Sequence, residues 1–136
     1  VDEDFIRRGL ARNEDEFNSI TGKELSLLWH APYYHQTEFI KNAAVKAGYK
    51  YVKAFTGYSD TVTVEQENEN PFYLYLNSSQ LIDAIVSSLE DGTIIPVSAG
   101  KVRGTRQDYL YEKLDILIAS ILNQGYEIVD VRSIID

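Results

Sequence analysis

LLWHAPYYHQTEFIKNAAVKAGYKYV, residues 27 to 52, is the stretch on which the reading of this chain turns. An apolar run ends abruptly in Trp29-His30-Ala31-Pro32-Tyr33-Tyr34-His35. A helical pattern on Phe39, Ile40, Ala43, Ala44 and Ala47 follows, Gly48 closes it, and a second apolar run begins at Tyr49. Strand, helix, stop glycine and strand in that order predict a parallel crossover.

The same grammar repeats along the chain. Gly22, Gly48, Gly92 and Gly125 each follow a helix-like stretch and precede an apolar run: 25–31, 49–55, 93–99 and 126–131. Glycine just past a helix takes the left-handed conformation that closes the last turn. Near-continuous apolar runs suit strands covered on both faces, as in parallel sheets. Between them, the spacing predicts helices at about 4–20 (Ile6, Leu10, Phe17, Ile20, interrupted by Gly9) and from Ser78 or Ser79 to about Asp91. A last helix carries the stripe Leu110, Leu114, Leu117, Ile118, Ile121 and Leu122, with Thr105 as N-cap and Asp108 in its first turn. Residues 56–77 break the pattern and read as an extended or hairpin excursion around an acidic turn, Glu65–Glu69. The expected fold is α/β and parallel-stranded, in a single domain over residues 1–136. It begins with a helix, as a barrel lacking its first strands would.

Composition narrows the function classes. With 136 residues, 44% apolar and 25% charged, the chain reads as a globular protein. A net charge of -8 argues against nucleic acid or an anionic membrane as partner. No apolar run is long enough for membrane insertion. The absence of cysteine removes disulfides and thiolate metal sites. The chain starts at Val1 without any methionine, as expected of a processed or excised piece. Ten tyrosines supply amphipathic surface, suited to half-buried packing or to sugar and peptide contact.

In parallel α/β proteins ligands bind beyond the C-terminal ends of the strands. Those ends carry His30, Pro32, Tyr33, Tyr34 and His35, then Thr56, Tyr58, Ser59 and Asp60, then Ser98, Gly100, Lys101 and Arg103, and finally Asp130 with Arg132. His30 and His35 are not spaced as a helical ligand pair, and no metal site is expected within the chain. Ser98 sits in VSAG, not in a nucleophile elbow, and the basic turn from Gly100 to Thr105 does not match a phosphate loop.

Three blocks in register are similar to the polysaccharide deacetylase family. Residues 27–52 resemble its strand ending in F-R-x-P-Y, followed by a helix and an A-G-Y-x-x-V strand. SSQLIDAIVSSLEDGTIIPVSAG (78–100) resembles its helix, glycine and I-x-L-x-H strand, and YEKLDILIASILNQGYEIVDVRSII (111–135) its closing helix and strand. The resemblance implies the C-terminal portion of an irregular (β/α) barrel of the glycoside hydrolase and deacetylase type. It implies a hydrolase that removes N- or O-acetyl groups from a glycan, in a cell-envelope or extracellular setting, with a divalent metal such as zinc. The family's metal and base motifs, T-F-D-D-G and H-x-x-x-H, do not occur in these residues. Two further positions depart from the family. His30 stands where it has an arginine that orients the base, and Ser98 where it has a general-acid histidine. Neither exchange preserves the chemistry. No cofactor and no catalysis are therefore expected of this chain alone, while Trp29, Pro32, Tyr33, Tyr34, Tyr58 and Asp60 are the expected glycan contacts. A non-catalytic carbohydrate-binding or scaffold domain is the alternative. The missing strands call for a homo-oligomer or for association with an N-terminal segment.

Overall fold

The computed structural model describes residues 2–32, 37–53, 57–100 and 104–135. The chain divides into two compact units, one up to Lys53 and the other from Ala54 to Ile134.

The first unit contains α1 (Glu3–Thr21), β1 (Leu28–Trp29), α2 (Glu38–Lys46) and β2 (Lys50–Tyr51). Asp2 starts α1 by accepting the Phe5 N–H at 2.8 Å, and Glu3 and Asp4 in the first turn complement the helix dipole. Thr37 does the same for α2. That helix ends in a Schellman closure: the Gly48 N–H reaches the Val45 carbonyl and the Tyr49 N–H reaches back to Ala44. Gly48 has φ 92°, so a side chain there would be strained. The turn aims the chain directly into β2. β1 and β2 pair in parallel with Leu28 opposite Lys50 and Trp29 opposite Tyr51, as the crossover reading expects. Lys50 and Val52 donate to the carbonyls of Leu27 and Trp29 at 2.8 and 2.7 Å. Leu10, Ala44 and Tyr49 form the buried centre, with Ile6, Trp29 and Ala47 packed around it.

The second unit holds α3 (Val64–Glu69), α4 (Ser78–Ser87), a 3₁₀ turn (Leu110–Lys113), α5 (Leu114–Asn123) and a last 3₁₀ turn (Val131–Ser133). Its core is Leu81, Ile82 and Ile85 of α4 against Leu110, Leu117 and Ile121. These are positions on the two helical stripes.

Several expectations need correction. The runs 93–99 and 126–131 join no ladder with described residues. In the first, Pro96 has no N–H, and the Ser98 N–H is taken by the Asp60 carboxylate. The acidic stretch within 56–77 contains a helix in place of a hairpin turn. Thr63 and Gln66 form a capping box that starts α3, and Pro71 lies just beyond its end. α4 stops at Ser87, short of Asp91. Thr105 does not cap the last helix, which begins as a 3₁₀ turn at Leu110; its hydroxyl donates to Glu65 instead. Among the described residues the fold is helix-rich with one parallel strand pair.

Tyr49 is 4% exposed, and its hydroxyl donates to Glu14 on α1 at 2.6 Å. Burial first, then the Glu14 hydrogen bond and charge, push its pKa above the usual tyrosine value. A raised folded-state pKa means this contribution to stability is whole below about pH 10 and is lost as pH rises further. Tyr49→Phe is expected to cost about 1 kcal/mol at neutral pH. It should also flatten the loss of stability above about pH 10. Denaturant unfolding followed by Trp29 fluorescence at both pH values measures it.

Candidate functional site

Parallel pairing brings the C-terminal ends of β1 and β2 to the same end of the first unit. Register partners share a face, so Trp29 and Tyr51 meet, with ring centroids 5.8 Å apart and planes tilted by 60°. The Lys41 ammonium lies 6.0 Å from the Tyr51 ring centroid, at the outer limit of cation–π range. Burial, and then the Glu38 charge, raise the Tyr51 pKa above the usual tyrosine value. Immediately beyond come His30 and Pro32, both exposed, with His30 Nδ1 3.1 Å from the Ala31 carbonyl oxygen. A donor N–H on Nδ1 would satisfy that contact. Tyr33, Tyr34 and His35, the rest of the aromatic knot, lie outside the described residues, as do Thr56, Lys101 and Arg103.

The other expected residues belong to the second unit. Asp60 and Ser98, far apart in sequence, are brought together. One Asp60 oxygen accepts the Ser98 N–H at 2.7 Å and the other its hydroxyl at 2.9 Å. This is a loop cross-tie. A carboxylate is too weak a base to activate a serine hydroxyl near neutral pH, and no histidine stands between them. Tyr58 is half-buried against the Leu81 cluster and so does core work.

A buried polar group with several partners carries no mark in the sequence pattern. Arg106 is 3% exposed. It donates to the carbonyls of Val62 at 2.6 Å, Leu76 at 2.9 Å and Asp108 at 2.8 Å, and lies 5.0 Å from the Tyr75 ring centroid. Asp108 in turn accepts the Ser78 N–H at 2.5 Å and its hydroxyl at 2.6 Å, capping α4 from outside the helix. No motif marks this arginine, since its partners are main-chain carbonyls that any sequence supplies. It is a structural clamp.

No group of three His, Asp or Glu side chains able to hold a metal ion occurs among the described residues. Nor, among them, is any helix long and apolar enough to cross a membrane. No protein-family model, curated protein or solved structure matches the chain.

At Asp108, burial pushes the pKa up, but the Ser78 hydroxyl and N–H and the Lys113 charge outweigh it and hold the carboxyl below its usual value. A depressed folded-state pKa gives stability that is present above about pH 4 and lost as pH falls through the folded value. Asp108→Asn is expected to cost about 1–3 kcal/mol at pH 7. The difference from wild type should shrink toward pH 2–3, as roughly expected once both carry an uncharged group. Thermal unfolding followed by far-UV circular dichroism across that range reads both effects.

Proposed function

We propose that this chain is a glycan-associated domain of the polysaccharide deacetylase type, corresponding to the C-terminal part of an irregular (β/α) barrel. In this reading it contacts sugar at the end of β1 and β2 and does not remove acetyl groups by itself. The observation that carries it is the Trp29–Tyr51 pair at the C-terminal end of a parallel strand pair, followed at once by His30-Ala31-Pro32. Aromatic faces stack on the apolar faces of sugar rings, while a phenol hydroxyl bonds at the rim. The order of blocks along the sequence supports the family, and its cell-envelope or extracellular setting comes with it.

A second reading, a binding or scaffold domain that kept the architecture and lost the chemistry, draws on Ser98. At the position of the family's general acid stands a hydroxyl fixed to Asp60. A serine cannot shuttle a proton near neutral pH.

Titration of the 136-residue chain with an acetylated glucosamine oligomer should give a saturable change in the fluorescence of Trp29, its single tryptophan. Tyr51→Ala should weaken that binding about tenfold, the equivalent of ~1.4 kcal/mol, without altering the far-UV spectrum. No acetate should be released. A flat titration overturns glycan binding, and chelator-sensitive acetate release by the isolated chain overturns the assignment as inactive.

A further inference from the structure

The two segments of strand composition that join no ladder border one groove in the second unit. It encloses about 560 Å³ and is lined by Ile95 and Val97, by Leu117 and Ile121 of α5, and by Ile128 and Val129. The last two are 57% and 50% exposed, an unusual position for adjacent β-branched residues. The backbones of Ile94–Val97 and Glu127–Val129 make no main-chain hydrogen bond with a described residue.

Residues two apart on a strand present their backbone groups to the same side. On the side of Ile94, Pro96 and Ser98, the proline offers no donor and the serine N–H is committed to Asp60. The N–H groups of Ile95 and Val97 have no hydrogen-bond partner among the described residues, which leaves them for an added strand. Such an edge is a template for an added strand.

Charge selects which strand. Glu90, Asp91 and Glu127 border the groove, all exposed, and none forms an ion pair with a described residue. A second copy of the chain would bring another net charge of -8 toward this rim, which disfavours self-association. A small apolar molecule would leave the backbone donors unpaired. We propose that the groove binds an extended peptide of β-branched apolar residues flanked by lysine or arginine. That peptide pairs with the backbone at Ile95 and Val97 and sets its basic ends against Glu90, Asp91 and Glu127.

The test uses the whole chain and a fluorescein-labelled peptide, Lys-Lys-Val-Ile-Val-Thr-Val-Lys-Lys, followed by anisotropy. One control peptide is N-methylated at alternate residues, so that it keeps side chains and charge but cannot pair; another has glutamate flanks. Saturable binding is expected, weakened about tenfold by N-methylation and by Glu127→Lys, and lost with Ile128→Glu. Both substituted residues are exposed, and unchanged far-UV spectra confirm that the variants fold. The proposal is overturned by the absence of saturation, or by Ile128→Glu binding as the parent does. Equal binding of the N-methylated peptide would make the groove a general apolar cleft, and equal binding of the glutamate-flanked one would remove the charge selection. Light scattering that shows the chain pairing through this face, blocked by Ile128→Glu, would make a second copy the occupant.

Discussion

A guanidinium taken out of water must find partners for its donors, because an uncompensated buried charge destabilises a protein by several kcal/mol. Arg106 meets this constraint with three carbonyls from three separate stretches, at Val62, Leu76 and Asp108. Two of those stretches lead straight into helices. Val62 precedes Thr63, the N-cap of α3, and Leu76 precedes Asn77, the N-cap of α4. The chain around Arg106 reinforces the start of each helix. Asp108 supplies α4 with an outside cap, and Gly104, at φ 115°, passes so close to Thr63 that a Cβ would lie 3.1 Å from its Cγ2. Only glycine meets both conditions without strain. Residues 104–108 therefore fix where α3 and α4 begin, and the Leu81 core follows from how α4 is then aimed.

The first unit solves a different problem. Its ladder is short, and the precision comes from the turn before β2. Schellman closure at Gly48 sets the direction in which Tyr49 leaves α2, and the Tyr49 hydroxyl anchors that exit to Glu14 on α1. Lys46 adds an ion pair to Glu3 at 2.9 Å, exposed and so of small weight. With Tyr49 inward, alternation puts Lys50 at the surface and brings Tyr51 beside Trp29. The Trp29–Tyr51 pair is thus a consequence of the helix closure at Gly48 and Tyr49.

Helical stripes were legible because their period reports burial directly: Leu81, Ile82, Ile85, Leu117 and Ile121 are all core residues. The crossover at 27–52 was legible from its punctuation. Two capping boxes, Thr63 with Gln66 and Asn77 with Gln80, were also in plain view, and the first would have identified α3. Composition misled at 93–99 and 126–131, since β-branched residues suit a strand without specifying its backbone partner, and Ile128 and Val129 are not even buried. Asp108 read as a first-turn residue of the helix it precedes. Its carboxylate is instead drawn to Ser78, thirty positions back, which no local pattern announces. Of the Trp29–Tyr51 pair, Trp29 stands out at its strand end, while Tyr51 reads as an ordinary strand tyrosine until the register sets it opposite Trp29.

Amide hydrogen exchange on the intact chain tests this arrangement most directly. Lys50 and Val52, whose N–H groups close the parallel pair, should be protected, as should the interior of α4. The amides of Ile95, Val97, Ile128 and Val129 should exchange close to the rate of an open chain. Strong protection at those four positions would place both segments in a ladder of their own and contradict the open groove.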